Sequence, residues 1–300
     1  MLEALFQQFG FQMKVAQIMR GPLRGQLCAT RSAGGLLLQL TTNQCLSCSG
    51  NRNQRWLAIA LKQTDNLEMH RLRGEPVQPC SVQGFNRNLT ESIWQVSPHS
   101  HLSLLVVPVQ RILDLIALDP SSKLQGVIDT SNVVTFQPRH FQTLKTFLLS
   151  HEIHEAPARD TLDARLVECF MQPDNISDAG IPLSSRAELT NDLLNYGFSN
   201  PSTAISLKDL SKTLLKSSSS ITKASREQFG VSPMQLLKQI RLQQVQRLLM
   251  DPEQQHELGT HSISAIAQRF GFTAPNHFAR DYRRMFWESP RQTLKLTGAA

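Results

Sequence analysis

The stretch Ser262–Pro290, SISAIAQRFGFTAPNHFARDYRRMFWESP, predicts a helix, a tight turn and a second helix. Ser262 is a good N-cap residue, and the apolar residues after it recur at i, i+3, i+4 and i+7, which places them on one face of a helix. We expect Gly271 to end this helix, because glycine enters the left-handed conformation of a helix C-terminus without steric penalty. Thr273 is a candidate cap for the next helix, and Pro275 fits its first turn, where amide donors lack partners anyway.

The predicted second helix has two chemically different faces. At ~100° per residue, its apolar side chains fall on one side, and these are Phe278, Tyr282, Met285 and Phe286. The polar face carries Thr273, Asn276, His277, Arg280, Arg283 and Arg284. Arginine pairs with guanine edges, asparagine pairs with adenine and other cations contact phosphates, so this face suits a DNA major groove. The alternative is an amphipathic helix whose arginines only face water.

A related pattern begins 56 residues upstream, where Leu207 corresponds to Ile263. Ser206 and Asp209 have the spacing of a capping box, and a second helix is predicted over about Ser218–Phe229. The outer face of that helix carries Ser219, Thr222, Lys223 and Arg226. Between the two copies, residues 233–250 predict one long helix with Ser232 as its N-cap.

The segment from about Ser206 to Leu294 resembles the DNA-binding domain of the AraC/XylS family of bacterial transcription regulators. The resemblance covers about a third of the chain and rests on IRLQQVQRLLM, SISAIAQRFGF and NHFARDYRRMF with its closing Ser-Pro. It implies two helix-turn-helix units joined by a rigid helix. Their recognition helices, here about Ser218–Gln228 and Ala274–Met285, are then expected to enter successive major grooves on one face of the DNA. The resemblance also favours activation through contact with RNA polymerase, with repression by the same binding event as the alternative.

Two residues depart from the family pattern. Trp287 stands where the family usually has glycine, which predicts that the second unit ends in a differently built turn. Ser225 stands where an aromatic residue usually anchors the first recognition helix, and Gln228 lies on the same inner face. We therefore expect the first recognition helix to be weakly packed and the second unit to grip DNA more firmly.

The charge of the chain is concentrated at one end. The 300 residues carry a formal net charge of +7 at pH 7. Residues 201–300 contain 14 Lys and Arg against 7 Asp and Glu, which leaves 17 of each sign in the first 200 residues. A neutral part joined to a basic part indicates that the basic part meets phosphates.

Residues 1–135 predict a β-rich domain. The runs Leu36–Thr42, Arg55–Lys62, Leu67–Leu72, Ser92–Ser97 and Leu102–Val107 are short and apolar or alternating, with turn clusters between them. Such a pattern predicts an antiparallel sandwich or barrel. The layout resembles the cupin-like sensor barrel that precedes the DNA-binding domain in many regulators of this family. It implies a small-molecule effector in the barrel, whereas a solid barrel used for dimer contacts is the alternative.

Residues 136–200 predict a helical linker. With the segment just before it, this region has helical spacing over Gln110–Leu118, Pro138–His151, Thr161–Met171 and Arg186–Tyr196. These helices either mediate a homodimer or pack on the barrel. The predicted fold class is therefore α+β, with a cupin-like antiparallel β-barrel sensor domain at 1–135, the linker at 136–200 and an all-α DNA-binding domain of two helix-turn-helix units at 201–300.

Neither the histidines nor the cysteines predict a metal or cofactor site. His70, His99 and His101 lack the glutamate that metal-binding cupins place a few residues later, so exposed loop histidines are the expectation. The five cysteines are Cys28, Cys45, Cys48, Cys80 and Cys169. Their odd number and the predicted reducing compartment argue against disulfides, so buried or half-buried thiols are expected, although the spacing of Cys45 and Cys48 leaves a redox role open.

The sequence therefore predicts a sequence-specific, non-enzymatic transcription regulator, an activator controlled by a small-molecule effector or by dimerisation. Its expected partners are double-stranded promoter DNA, RNA polymerase, an effector and a second copy of the chain. No signal peptide or membrane-spanning run is visible, which predicts a cytoplasmic location. A cupin-type metal enzyme fused to a DNA-binding domain and a non-specific DNA-binding protein are the alternatives.

Overall fold

The computed structural model describes residues 2–8, 11–32, 35–118, 124–150, 175–177, 183–202, 205–260 and 262–296. They divide into two compact units, one formed by Met1–Val15 and Arg24–Leu183 and the other by Ala16–Leu23 and Ser184–Ala300. The predicted helix Thr161–Met171 and Cys169 lie outside the described residues. Within the described residues, no helix is both long and apolar enough to cross a membrane.

The first unit is built on two β-sheets, and the α+β class is confirmed. The five-stranded sheet has the order β1-β4-β9-β6-β7, and the seven-stranded sheet has the order β12-β11-β8-β5-β10-β3-β2. The described strands thus form two separate sheets rather than the single closed barrel that was expected. The strands are β1 Gln12–Gln17, β2 Gly25–Ser32, β3 Gly35–Thr42, β4 Leu46–Asn51, β5 Trp56–Lys62, β6 Arg71–Leu72, β7 Glu75–Pro76, β8 Ser81–Gln83, β9 Glu91–Val96, β10 Ser100–Pro108, β11 Val133–Thr135 and β12 Asn175–Ser177.

The alternation of β10 divides the first unit into two cores. Leu102 and Val106 join a cluster between the two sheets, where they meet side chains from β1, β4 and β9. Leu105 and Val107, which point to the opposite face of the strand, join a cluster with three helices packed on the other side of the seven-stranded sheet. The helices of this unit are α1 Leu2–Gln8, α2 Val109–Leu118, α3 Leu124–Thr130 and α4 Pro138–Ser150.

Four of the five predicted strands are confirmed to within two residues. The exception is Leu67–Leu72, of which only Arg71–Leu72 pairs in a sheet. The amide of His70 donates to the carbonyl of Leu67 at 2.9 Å, so the first part of this run is a turn. The apolar residues Leu67 and Met69 are therefore half-buried in a turn and do not pair in a strand.

The second unit is helical. The predicted helices at 218–229 and 233–250 are confirmed, and the latter ends at Leu249 with Ser232 as its N-cap. The helices of this unit are α5 Ser185–Ser199, α6 Leu207–Thr213, α7 Ser218–Phe229, α8 Pro233–Leu249, α9 Pro252–Glu257, α10 Ile263–Arg269, α11 Pro275–Phe286 and α12 Pro290–Leu296.

Helix α5 packs against α7 and α8. Leu189, Leu193 and Leu194 are buried in this contact region. Gly197 permits the close approach, because a Cβ atom there would lie 2.7 Å from Cδ1 of Ile240. The helix predicted at Arg186–Tyr196 therefore belongs to the helical unit, a placement that neither interpretation of the sequence included.

A short N-terminal segment, Ala16–Leu23, also belongs to the helical unit. Gln17 makes hydrogen bonds to Gln243 of α8, and the amide of Gly21 donates to the carbonyl of Met285 in α11 at 2.7 Å. The helical unit is therefore assembled from two distant parts of the sequence.

Candidate DNA-binding site

The second helix-turn-helix is formed by α10 and α11. Ser262 caps α10 as predicted, since its hydroxyl accepts from the amide of Ala265 at 3.1 Å. Gly271 follows the helix with a φ of 77°, the left-handed conformation expected of it. The cap predicted for α11 is wrong, because the N-cap position is Ala274 and no side chain caps it. Thr273 instead lies exposed in the turn, one residue before that position.

One face of α11 is fully buried. Phe278, Tyr282, Met285 and Phe286 are each at most 3% exposed. The ring centroids of Tyr282 and Phe286 lie 4.7 Å apart, and those of Phe278 and Tyr282 lie 5.6 Å apart. The Tyr282 hydroxyl lies 2.8 Å from Oγ1 of Thr293, and burial raises the pKa of this phenol. The predicted apolar face is confirmed, and its packing sets the orientation of α11.

The opposite face of α11, with the turn before it, is polar, cationic and exposed. All six side chains named from the sequence lie there, and each is exposed: Thr273, Asn276, His277, Arg280, Arg283 and Arg284. Asp281, the acidic residue in the sequence of α11, pairs with Lys238 of α8 at 2.5 Å. The negative charge on this helix is therefore neutralised, while its arginines face outward.

The first helix-turn-helix is formed by α6 and α7. Ser206 caps α6 by accepting from the amide of Asp209 at 3.2 Å, and its own hydroxyl lowers the pKa of the Asp209 carboxyl by hydrogen bonding to it. On the outer side of α7, Ser219, Lys223 and Arg226 are exposed. Thr222 is half-buried, and its hydroxyl donates to the carbonyl of Ser218 at 2.8 Å. This face offers fewer cations than that of α11.

The inner face of α7 is better packed than expected. Ser225 is fully buried, and its hydroxyl donates to the carbonyl of Val231 at 2.8 Å. Ile221 and Phe229 are buried beside it, and α5 covers this helix. Serine is therefore accommodated on this inner face by burial and by a hydrogen bond to the main chain.

The two recognition helices end in the same way. Gly230 after α7 has a φ of 72°, and Trp287 after α11 has a φ of 61°. In both turns the amide of this residue donates to the carbonyl four positions earlier, at 2.9 Å. The prediction that Trp287 changes the turn is therefore wrong: tryptophan adopts the left-handed conformation itself, and the residue is 72% exposed.

Helix α8 connects the two helix-turn-helix units through buried side chains. Leu237 and Ile240 are buried near α5. Two turns later, Val245 and Leu249 enter the cluster that holds α10 and α11. Helix α8 also contacts α7, so one continuous helix is packed against both helix-turn-helix units.

The remaining sequence candidates do not form a metal centre in the described residues. His99 is exposed, whereas His101 lies in β10 with Nε2 3.0 Å from Oε1 of Gln39, so it is not a loop histidine. Throughout the described ranges, no three His, Cys, Asp or Glu residues are grouped as metal ligands. Cys45 and Cys48 are fully buried, and burial raises the pKa of Cys45 to about 12, which keeps it a thiol at neutral pH.

Comparison with known proteins places the motif in a family. Residues 210–296 match a family model described as a helix-turn-helix domain. The XylDLEGF operon transcriptional activator 2 of Pseudomonas putida is 31% identical over 97 residues, which cover 32% of this chain and 59% of that protein. This chain therefore spans less than two thirds of the length of that curated relative.

Two solved structures are also similar to the chain. A probable AraC family transcriptional regulator from Rhodopseudomonas palustris is 33% identical and aligns 37% of this chain with 97% of its own, at a TM-score of 0.32. ToxT from Vibrio cholerae is 12% identical and aligns 95% of this chain with 98% of its own, at a TM-score of 0.33.

The family assignment rests on the match of residues 210–296 and on the identity to the curated activator. The same segment carries both helix-turn-helix units and the helix between them. The C-terminal segment of this chain therefore belongs to the AraC/XylS family of helix-turn-helix DNA-binding domains.

Proposed function

We propose that the chain is a sequence-specific transcription regulator whose helices α7 and α11 enter successive major grooves of promoter DNA. The observation that carries this proposal is the packing of α8 against both helix-turn-helix units, each of which exposes a polar outer face. A common buried helix limits independent motion of the two recognition helices. Such a pair suits two adjacent grooves on one side of a duplex.

The residues of α11 divide into two proposed roles. Asn276 and Arg280, with Thr273 and His277 near the start of the helix, are the proposed readers of base edges, because asparagine and arginine make bidentate contacts with adenine and guanine. Arg283 and Arg284 are proposed to hold phosphates. Phosphate contacts position the protein on the DNA and add affinity for any sequence.

Helix α7 is proposed to make the weaker contact. Lys223 and Arg226 supply its cations, and Ser219 and Thr222 supply hydroxyl groups. A hydroxyl discriminates less between bases than a guanidinium fork does. We therefore place most of the sequence preference in α11.

Activation is proposed because the relative from Pseudomonas putida is a transcriptional activator. RNA polymerase is then the proposed protein partner, and a homodimer is the proposed binding form at the promoter. The first unit is proposed to hold a small-molecule effector, because an interior cavity of about 60 Å³ lies within it. An effector that binds one arrangement of the chain more tightly shifts the population toward it.

Selection of bound sequences from random duplexes by the purified chain tests the main proposal. We expect an enriched site with two half-sites about one helical turn apart, at a gain of about 4 kcal/mol or more over random DNA. The Arg280→Ala variant is expected to lose enrichment at one position of the site. The charge-matched Arg139→Ala variant, altered at an exposed position of α4, is expected to keep it.

A second function class makes the opposite prediction for this experiment. A non-specific DNA-binding protein binds all duplexes equally, because its affinity comes from phosphate contacts alone. Equal recovery of all sequences would therefore replace the regulator proposal with that function.

A further inference from the structure

Two residues of the helix-turn-helix units combine a left-handed backbone with an exposed apolar side chain. Leu215 has a φ of 51° and is 87% exposed, and Trp287 has a φ of 61° and is 72% exposed. No other large apolar residue in the described part of the chain shares both properties. Both properties are unfavourable in the free protein, because a Cβ strains the left-handed conformation and apolar surface is more stable away from water.

The two residues occupy positions that hold glycine in the other copy of the motif. Leu215 lies in the turn before α7, as Gly271 lies in the turn before α11, and each amide donates to the carbonyl three positions earlier. Trp287 follows α11 as Gly230 follows α7. Since glycine adopts the same turns without strain, the fold does not require either large side chain. Strain that the fold does not require points to a role in binding.

Leu215 lies among exposed cations at the start of the first recognition helix. Lys212 and Lys216 are exposed on either side of it, and Ser217, the N-cap residue of α7, follows two positions later. In the proposed complex the N-terminal end of α7 enters a major groove. Leu215 then lies at the edge of that groove, where the neighbouring lysines meet phosphates.

Trp287 lies among cations at the opposite end of the second recognition helix. Its amide donates to the carbonyl of Arg283 at 2.9 Å, and Arg284 is exposed one turn before it. Trp287 follows the proposed base reader Asn276 by eleven residues, which at ~1.5 Å per residue is roughly 16 Å along the helix. The major groove is only ~12 Å wide. In the proposed complex Trp287 therefore lies beyond the base edges, beside the sugar-phosphate backbone.

We propose that Leu215 and Trp287 are apolar contacts to the sugar-phosphate backbone of DNA, one in each helix-turn-helix unit. Each side chain packs on the C–H surface of a deoxyribose while the adjacent cations pair with phosphates. The indole Nε1 of Trp287 is in addition a donor for a phosphate oxygen. The inference rests on the proposed DNA-binding function and adds two residues that lie outside the polar faces of the recognition helices.

Titrations of the selected DNA site with the purified full chain at several salt concentrations test the proposal. The Trp287→Gly variant is expected to bind roughly five- to tenfold more weakly at every salt concentration, because buried apolar area is lost. The slope of log Kd against log salt concentration is expected to stay unchanged, because no cation is removed. Leu215→Gly is expected to lose roughly two- to fivefold, since its side chain is smaller.

Control variants separate this effect from loss of charge and from loss of folding. Arg283→Ala is expected to reduce the salt slope by about one, as removal of a phosphate contact does. Leu118→Ala, altered at an exposed apolar position of α2, is expected to bind DNA as the unaltered chain does. Trp287→Phe keeps an aromatic ring in the same turn and is expected to recover most of the affinity. Both glycine variants relieve steric strain, so their midpoints of thermal unfolding are expected to be unchanged or higher.

Acrylamide quenching of tryptophan fluorescence provides a second readout. Trp287 is exposed, whereas Trp56 and Trp94 are half-buried. The fluorescence of Trp287 is obtained as the difference between the unaltered chain and Trp287→Phe. We expect a duplex that carries the selected site to protect this difference signal from the quencher.

Two results would overturn the inference. Unchanged DNA affinity of a glycine variant overturns it for that residue, and full quenching of the Trp287 signal in the complex overturns it for Trp287. Either result would leave the exposed side chain available to a protein partner instead. An unaltered chain that selects a DNA site, with no loss of affinity in either glycine variant, contradicts this inference alone. An unaltered chain that selects no site contradicts the proposed regulator.

Discussion

Nζ of Lys238 lies 2.5 Å from Oδ2 of Asp281, so an ion pair joins the connecting helix α8 to the recognition helix α11. The Asp281 side chain is only 13% exposed, whereas the Lys238 side chain is 42% exposed. The carboxylate is therefore largely withdrawn from the surface that carries the arginines. This pair both orients α11 and reduces the repulsion between that helix and DNA phosphates.

The Lys238→Ala variant is expected to lower the free energy of unfolding by about 1–2 kcal/mol, between the values typical of exposed and buried pairs. It leaves the half-buried carboxylate of Asp281 without its cation. Urea unfolding measures the loss, with Lys295→Ala as a control at an exposed position of α12. Equal stabilities of the two variants would show that the pair contributes nothing.

The Arg280→Ala variant is expected to cost about 1–3 kcal/mol on the preferred DNA site and much less on random DNA. The difference arises because a bidentate contact with a base is lost, while most phosphate contacts remain. Gel-shift titrations of both duplexes at one fixed salt concentration measure it. A uniform loss on both duplexes would identify Arg280 as a phosphate contact.

The Trp287→Gly variant is expected to raise the free energy of unfolding by about 1 kcal/mol. The residue holds a φ of 61° with an exposed indole, so glycine relieves steric strain and loses little packing. Gly230→Ala, at the equivalent turn of the first helix-turn-helix, is expected to lower stability by about the same amount. A stability loss in Trp287→Gly would reveal packing of the indole that outweighs the strain.

The Gly197→Ala variant is expected to lower the free energy of unfolding by about 1–3 kcal/mol, because the added methyl group approaches the Ile240 side chain to 2.7 Å. The matched control is Gly126→Ala in α3, where an added Cβ meets no atom within 4 Å. That substitution is expected to stabilise the chain by about 0.5–1 kcal/mol, as alanine does in a helix. Thermal unfolding measures both variants, and the midpoint is expected to fall for Gly197→Ala and to rise for Gly126→Ala. A higher midpoint for Gly197→Ala would exclude the close helix contact.

The Gln243→Ala variant is expected to lower the free energy of unfolding by about 1–3 kcal/mol. The Gln243 amide accepts from the Gln17 amide at 2.7 Å and donates to the Gln17 carbonyl at 2.8 Å, and both residues are buried. Its loss leaves two main-chain groups without partners in a buried place. Hydrogen exchange at the Gln17 amide measures this directly, and unchanged protection would contradict the assignment.

The local parts of the DNA-binding motif were predictable from sequence, because each depends on residues within a few positions. Ser232 and Ser262 cap their helices, Gly271 ends a helix, and the apolar stripe of α11 is buried as its period required. Each of these features depends on hydrogen bonds or apolar periodicity among residues that are close together in the sequence. The exposed face of α11 follows from the same period.

The parts that sequence analysis missed depend on distant contacts or on strain. Nothing near Ser225 in the sequence indicates that α5 covers its helix, and nothing near Gln17 indicates a partner 226 residues away. The strand Leu46–Asn51 was missed because it ends in Ser49, Gly50 and Asn51, which are residue types typical of turns. The prediction for Trp287 was wrong because it assumed that a residue other than glycine avoids the left-handed conformation. In this turn Trp287 adopts that conformation despite the steric strain.

The contribution of Ala16–Leu23 to the helical unit also sets a limit on the order of events during translation. These residues leave the ribosome more than two hundred residues before Gln243 and Met285, to which they bind. The segment Ala16–Leu23 therefore lacks these two partners while more than two hundred further residues are synthesised. The helical unit is complete only when Met285 has left the ribosome, so a nascent chain that stalls before this residue carries an unfinished version of the unit.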